Sequence, residues 1–500
     1  MKERLKTSMA TVGCGLLLCA ASIQAVEEES TGMSAVHFTV TDHLIFSNAK
    51  DPVFIGPQPV SLFMHEDRPR LEYDNYALGI HFTNQFTTNG SKERNSPFFL
   101  EKAYGTAEWT NWDLKLGDSY QELGRGIALS LFDNPAFGQN NTVQGVAARF
   151  HPSVFDGTVF GGRVNSITNP VAINPLPDPL LTHNMYLAGG SAKVEVAKQS
   201  HLGVQYVASY SQQADTLNID HSWNTAGVVA SKENIVDGLD FYGESNLMKN
   251  EVKLPISQRL DDGYGSYGSV IWSPAPWQVR VEGIDYRNFN YPFQRPPTLE
   301  DSSVAYITTD NESAGRVYGE YRAPESGASV YSSFLGGWDR DHLAPIYHPI
   351  LGSKFNGPGR TEYELKAGYR TMAEYAQMWH AGLKWKIHTF KGQAFELNGT
   401  SINWQHNLAT VQLTKEYRNI LSATYTFSER ITTTLGYEYV PTNTANLGNH
   451  FFNFGGTYKT GALSTKAFLG QTSGGVQCAG GVCREVPPYS GAMVETNYVF

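Results

Sequence analysis

Residues 421–440 read LSATYTFSERITTTLGYEYV, and this stretch decides the fold class. From 421 to 427, apolar and aromatic residues alternate with Ser and Thr, and the alternation returns from 431 to 440. A period of two places successive side chains on opposite faces of a β-strand. Because only Ser-Glu-Arg at 428–430 separates the two runs, the sequence predicts a tight β-hairpin with one apolar and one polar face.

The same alternation recurs at residues 277–282 and 379–388. In a soluble sandwich the apolar face would meet a core, whereas in a transmembrane barrel it would face lipid and the polar face would line the interior. Aromatic residues near many strand ends favour the barrel, since they suit girdles at the two membrane interfaces. We therefore expect the charged and imidazole side chains of the polar face to line the lumen: Arg280, Glu282, His380, Lys384 and Lys386.

The composition of the 500 residues is consistent with either β class. Charged residues make up 17%, against about 25% in ordinary soluble domains, while 27 Tyr, 26 Phe and 9 Trp exclude a disordered chain. Mean hydropathy is −0.33, and only residues 7–26 form a long, nearly uncharged stretch. A helical membrane bundle needs several apolar spans of roughly 20 residues, so that class is excluded. If apolar residues occupy one face of each strand, the mean hydropathy of the whole chain does not reveal the lipid-facing surface.

Residues 1–25 have a basic start, an apolar centre at 9–21 and small residues near the end, which predicts a secretory signal peptide cleaved after Ala25. A lipoprotein signal ending before Cys19 is the alternative, and it is disfavoured because the preceding Leu18 is not small. We expect the remaining chain, 26–500, to form a single domain.

Loss of the signal changes the formal net charge from −10 to −12, because three basic residues and one acidic residue leave with it. A nucleic-acid partner is thereby disfavoured, since such proteins carry a basic footprint. Two cysteines remain, Cys478 and Cys483, in the sequence CAGGVC. In an exported chain this spacing predicts a small disulfide-closed loop; a metal site is disfavoured because no further Cys or nearby His accompanies the pair.

Connection lengths favour the barrel. Short turns are predicted at 74–75, 111–112, 152–157, 199–202, 233–238, 273–276, 324–327, 389–392, 428–429 and 460–461. Long polar stretches lie between them, at 83–96, 165–183, 290–311, 340–359 and 471–489. Short periplasmic turns opposite long extracellular loops are typical of outer-membrane barrels. Ten turns with both termini in the periplasm predict about 22 strands, within a range of roughly 16 to 22.

The last ten residues, 491–500, alternate again and end on an aromatic pair at Tyr498 and Phe500. This resembles the C-terminal strand signal by which Gram-negative barrel proteins are recognised for insertion. The resemblance implies an outer-membrane location, with outer-membrane lipid and the barrel-assembly machinery as partners.

Residues 114–149 carry a distinctive glycine-rich segment. Its matching positions are Gly117, Asp118, Tyr120, Gly124, Gly126 and Leu129. The segment resembles an uncharacterised family of bacterial outer-membrane barrels with a G-D-x-Y-x-x-x-G-x-G-x-x-L stretch after an early strand, and more loosely the alginate-export-type barrels. The likeness covers about 40 residues and implies little about substrate.

A charged, glycine-rich segment between two barrel strands is a candidate for a loop folded into the lumen. Asp118, Glu122 and Arg125 would then lie near the constriction, where charge rings set selectivity. The alternative is an external loop with solvated charges.

Motifs for other chemistry are weak. The G-x-G-x-x-G at 263–268 leads into a strand instead of a helix, and the Asp and His residues at 338–349 have no spacing that fixes a metal geometry. No hydrolase elbow, zincin motif, P-loop or haem-attachment motif occurs. We therefore expect no resident cofactor or metal, and no enzyme.

The sequence thus predicts an all-β transmembrane antiparallel barrel acting as a porin-like channel. It would pass small hydrophilic solutes passively, or export a polar polymer. The alternatives are a structural barrel that sheathes a periplasmic partner such as a multihaem cytochrome conduit, a surface-binding barrel, and an outer-membrane hydrolase.

Overall fold

A computed structural model provides the structure, and it describes most of the chain in separate ranges. These are 36–50, 59–87, 99–134, 139–168, 185–213, 219–254, 257–289, 293–294, 296–299, 311–341, 343–372, 376–389, 392–406, 414–441, 449–473, 475–479, 482–486 and 489–499. The predicted signal peptide and Phe500 lie outside these ranges.

The chain forms a closed antiparallel barrel of 24 strands. The barrel strands are β1 (Val36–Lys50), β2 (Pro59–Tyr73), β3 (Tyr76–Thr87), β4 (Phe99–Glu108), β5 (Trp112–Ser119), β9 (Gln139–Phe150), β10 (Phe155–Thr168), β11 (Met185–Ala197), β12 (Ser200–Gln213), β13 (Ile219–Lys232), β14 (Leu239–Leu254), β15 (Ser257–Trp272), β16 (Trp277–Arg287), β17 (Glu312–Arg322), β18 (Ser329–Asp339), β19 (Ala344–Gly357), β20 (Thr361–Met372), β21 (Ala376–His388), β22 (Ala394–His406), β23 (Thr414–Ser428), β24 (Ile431–Tyr439), β25 (His450–Thr460), β26 (Leu463–Thr472) and β29 (Tyr489–Val499). Five short strands lie in connections: β6 (Glu122–Leu123), β7 (Leu129–Ser130), β8 (Asp133–Asn134), β27 (Gly475–Ala479) and β28 (Val482–Val486).

Each barrel strand pairs with its sequence neighbour, and β1 closes the ring by pairing with β29. The seam register runs from Thr41 opposite Val499 to Lys50 opposite Ser490. Closure leaves no open sheet edge, so the backbone groups of the strands find partners within the wall.

The predicted strand number of 22 was too low by one hairpin. The missed turn, at 358–360, joins β19 to β20; β19 itself lies within the stretch 340–359, which the sequence suggested was one long loop. Pro and Gly residues in that stretch interrupt the alternation of apolar and polar residues. Pro349 has no N–H to donate, and the strand tolerates it because the pairing of β19 with β20 skips residues 348 and 349. The other ten predicted turns coincide with strand connections to within a few residues.

The two ends of the barrel differ in their connections. At the end shared by both termini, every connection is short, from two residues at 198–199 to six at 233–238. At the opposite end the lengths vary widely, from 255–256 to 288–311. The prediction of short turns is therefore confirmed at the end that holds the termini. The prediction of long loops at the opposite end holds for only some of its connections.

The two faces of the wall differ in polarity. On β14, Leu247 points outward and is 68% exposed, whereas the adjacent Asn246 points inward and is fully buried. Trp272, Trp277 and Tyr321 mark the outer face close to the short turns. No helix among the described residues has the length and apolar character to cross a bilayer.

The hairpin of β27 and β28 lies in the connection between β26 and β29, and its backbone register places Cys478 opposite Cys483. The side chains of both cysteines fall outside the described part of the structure, so their disulfide stays a prediction.

Candidate functional site in the barrel lumen

Residues 120–131, between β5 and β9, form a segment that lies on the inner face of the barrel; we call it the inward segment. The Arg125 backbone N–H donates to the Glu244 carboxylate on β14 at 2.9 Å, and the Ser130 N–H donates to the Phe293 carbonyl at 2.7 Å. Since β14 is not a neighbour of β5 or β9 in the sheet, the segment reaches across the lumen side of the wall.

An apolar cluster holds the inward segment in place. Its Leu123, Ile127, Leu129 and Leu131 are each at most 2% exposed. They belong to one buried cluster with inward-facing side chains of the wall and of the 288–299 connection, including Val143, Leu187, Val207, Met248, Tyr286, Phe289 and Phe293. Removal of this surface from water stabilises the folded-in position. The apolar run IALSL at 127–131 is the sequence signal for this packing.

Two glycines of the family-like motif are required by geometry. Gly117 has a φ of +90°, and a Cβ there would lie 2.0 Å from the Ala103 carbonyl oxygen. Gly124 has a φ of +64°, and a Cβ there would lie 2.1 Å from a Glu244 carboxylate oxygen. A larger residue at either position would be strained. At Gly117 it would collide with the β4 backbone, and at Gly124 it would push the inward segment away from Glu244.

Asp118 is part of the wall. It is only 3% exposed; its carboxylate accepts the Ala103 N–H of β4 at 2.9 Å and the Thr142 hydroxyl of β9 at 2.8 Å. The residue therefore joins three strands beneath the inward segment and is not among the charges that face open lumen.

Glu122 and Arg125 lie on the exposed side of the inward segment. The Arg125 guanidinium is 4.2 Å from the Tyr242 ring centroid and 5.2 Å from that of Tyr267, and its Nη1 donates to the Tyr267 hydroxyl at 3.0 Å. The Tyr267 hydroxyl in turn donates to Glu282 at 2.8 Å. Two rings and one hydrogen bond thus fix the orientation of the cation.

Glu244 lies behind Arg125 and is 4% exposed. Its carboxylate accepts from neutral donors: the Arg125 backbone N–H at 2.9 Å, the Tyr242 hydroxyl at 2.7 Å, Gln205 Nε2 at 2.6 Å and Asn246 Nδ2 at 2.9 Å. No described carboxylate makes an ion pair with the Arg125 guanidinium. We call Arg125, Tyr242, Glu244 and Tyr267 the Arg125 sector.

A cavity of about 620 Å³ adjoins the exposed side of the inward segment and reaches toward the short turns. Its lining includes the cations Lys115, Arg149 and Lys193 and, nearer the short turns, the carboxylates of Glu108, Asp113 and Asp156. Arg149 is held by Asp156 through two hydrogen bonds of 2.9 and 3.0 Å. Open space therefore lies beside Arg125.

The predicted lumen residues of β16 also lie on the inner face. Glu282 accepts hydrogen bonds from Tyr267 and from Arg316 Nε at 2.9 Å. Arg280 lies two residues closer to the short turns, and its buried Nε has no hydrogen-bond partner. Like Arg125, Arg280 forms no ion pair with a described carboxylate.

The remaining predicted lumen residues lie on β21. The Nε2 atom of His380 is 2.9 Å from that of His348, and both rings are buried. Lys384 Nζ lies 3.2 Å from the Glu396 carboxylate. Lys386 points to the same side and is half-buried, opposite Glu396 in the strand register.

Several lumen ion pairs were not predicted from the sequence, although their partners lie on adjacent strands. Arg418 pairs with Glu438, and Lys466 lies 3.4 Å from Glu495 across the β26 and β29 pair. Together with Lys384 and Glu396, these pairs form what we call the paired wall. The register between neighbouring strands brings these residues together.

On the outer face, Tyr498 lies opposite Asp42 near the seam. The Nε2 atom of His65 is 2.9 Å from Asp42 and 3.4 Å from the Asp67 carboxylate there. These are metal-ligand residue types, but the imidazole between two carboxylates is accounted for by ion pairing alone.

Comparisons with known proteins add evidence on the fold. A model for a family of unknown function (DUF6029) matches residues 371–500, which is less than half of the chain and does not include the segment around Gly117. No curated protein matches this sequence.

Solved structures of similar shape are outer-membrane barrels. An E. coli P pilus tip assembly intermediate, PapC-PapD-PapK-PapG, matches with a TM-score of 0.51 and 10% identity, covering 96% of this chain and 64% of that chain. The copper transporter OprC matches with a TM-score of 0.48 and 10% identity, covering 95% and 82%. Pseudomonas aeruginosa OccK9 matches with a TM-score of 0.39 and 12% identity, covering 68% and 95%. At such low identity these likenesses concern the fold alone: the chain is similar to outer-membrane β-barrels in its architecture.

Proposed function

We propose that this protein is an outer-membrane channel for passive passage of small hydrophilic solutes. The observation that carries the proposal is the inner wall: a closed barrel lined with charged and polar side chains, narrowed by an inward segment that exposes Glu122 and Arg125. Polar lining lowers the cost of moving a hydrated solute through the membrane, and an inward-folded loop sets the size limit.

The outer face supports a membrane location. Large apolar side chains such as Leu247, Val281 and Leu351 are exposed there, a distribution that would be costly in water but stable in lipid. A predicted signal peptide and the aromatic C-terminal strand suit export and insertion into a Gram-negative outer membrane by the barrel-assembly machinery.

The inward segment also bears on the alternatives. A polar polymer or a sheathed partner protein needs a wide lumen, whereas the apolar cluster around Leu129 and Phe293 occupies part of it. Small solutes are therefore the proposed substrates.

Liposome swelling with sugars of increasing size tests this proposal. Refolded protein in vesicles should admit a monosaccharide quickly and a large dextran not at all. A heat-modifiable gel shift of the same sample shows that the barrel is folded. Folded protein that admits no sugar would contradict the channel, and free entry of dextran would contradict the narrowed lumen.

A further inference from the structure

Several charges on the inner wall are neutralised by contact. Of the described arginines, Arg316 pairs with Glu282, Arg418 with Glu438 and Arg149 with Asp156. Such pairs present little net charge to a passing ion, since the two fields largely cancel beyond a few ångströms.

Arg125 differs from these arginines. A guanidinium carries five N–H donors, and in the described structure a single side-chain hydrogen bond, to the Tyr267 hydroxyl, is formed. The nearest buried carboxylate, Glu244, is saturated by neutral donors and the Arg125 backbone. The exposed face of the guanidinium therefore keeps donors available toward the adjoining cavity.

The two tyrosines prepare Arg125 for binding. The Tyr242 ring lies against one face of the guanidinium, and the Tyr267 hydroxyl holds Nη1, so little side-chain freedom remains to be lost. A planar, oriented guanidinium matches the two oxygens of a carboxylate or phosphate in a bidentate hydrogen-bonded pair. Glu122, the exposed acid on the same segment, opposes this attraction without contacting the guanidinium.

Arg280 is a second inner-wall arginine without an ion pair to a described carboxylate. It lies on β16, nearer the short turns than Glu282, and makes no described ion pair. An anion leaving Arg125 toward that end would meet a second guanidinium without a carboxylate partner.

We propose that Arg125 is the binding group of a lumenal oxyanion site, with Arg280 as a second cationic step, and that the channel binds small carboxylate or phosphate anions there during passage. The assignment of passage rests on the proposed channel function, whereas the binding site stands on the geometry of the Arg125 sector.

Block of chloride current by inorganic phosphate in planar bilayers is the first test. Phosphate should reduce the wild-type current in a saturable way, and Arg125→Gln should weaken its apparent affinity about tenfold, the effect of losing a hydrogen-bonded charge. Arg125→Lys keeps the positive charge but should also bind phosphate more weakly than wild type, because Lys lacks the planar pair of N–H donors of a guanidinium. Tyr267→Phe, which removes only the orienting hydroxyl, should give a smaller loss.

The matched control is the double variant Lys384→Gln/Glu396→Gln, which deletes an ion pair of the paired wall without changing net charge. It should leave phosphate block unchanged. A wild-type current insensitive to phosphate, or equal block in wild type and Arg125→Gln, would overturn the inference.

Calorimetric titration of the detergent-solubilised protein with phosphate separates this inference from the channel proposal. Arg125-dependent heat without any bilayer conductance would retain the site and reject the channel. Conductance without Arg125-dependent binding or block would retain the channel and reject the site.

Discussion

The Arg125 sector and the paired wall hold their charged side chains in different ways. In the paired wall, Lys384 lies 3.2 Å from Glu396 and Lys466 lies 3.4 Å from Glu495. In the Arg125 sector, rings and neutral donors surround the charges, and the guanidinium stays unpaired. If the protein is the proposed channel, its selectivity should depend on which lumenal charges are paired.

Replacement of residues 121–131 by a short Gly-Ser linker should have the largest effect, since it removes Arg125 and the apolar side chains of the inward segment together. Single-channel conductance should rise several-fold. Gly461→Ala is the control: this turn glycine also has a positive φ, of +52°, but a Cβ there would meet nothing within 4 Å. Unchanged conductance after the replacement would show that the inward segment does not narrow the pore.

A charge on the outer face should destabilise the barrel strongly. Leu247 lies near the middle of β14 and points outward, so Leu247→Arg should lower the free energy of unfolding in vesicles by about 2–4 kcal/mol. Asn398→Arg, which adds the same charge on the inner face, should cost much less. Urea titrations of both variants measure the contrast, and equal losses would contradict the assignment of the two faces.

Loss of the wall contacts beneath the inward segment should have a slightly smaller effect. Asp118→Ala leaves the Ala103 N–H and the buried Thr142 hydroxyl without their acceptor, at a cost of about 1–3 kcal/mol. Asp118→Asn keeps one acceptor oxygen and should lose less. The midpoint of heat-modifiable gel migration reports the change; an Asp118→Ala barrel as stable as wild type would show that these bonds are dispensable.

The alternation of residues predicted the faces of the strands well. Arg280, Glu282, His380, Lys384 and Lys386 all point inward, because strand parity alone determines the side on which a residue lies. The strand count failed only where Pro349 and its neighbours resembled a loop.

The site was less accessible to sequence reasoning. Asp118 was expected near the constriction, but the positive φ of Gly117 and the distant partners Ala103 and Thr142 place it in the wall. The rings that hold Arg125 lie more than 100 residues away along the chain. Such contacts depend on barrel closure, which no local pattern encodes.

The smallest effect is expected in the paired wall. Lys384→Gln frees the Glu396 carboxylate and should shift ion preference slightly toward cations, while Lys384→Gln/Glu396→Gln should restore it. Both side chains are partly exposed, so stability should change by only about 0–1 kcal/mol. The reversal potentials of the two variants are compared with that of the wild type. If the double variant lies no closer to wild type than Lys384→Gln alone, the pairing of Lys384 with Glu396 is contradicted.

Single-channel recording of the refolded wild-type protein across a KCl gradient tests the central claim most directly. A narrowed channel whose selectivity is set by an unpaired Arg125 should show discrete conductance steps and a reversal potential on the chloride side of zero. Stable barrels that give no steps, or steps with cation preference, would contradict the account.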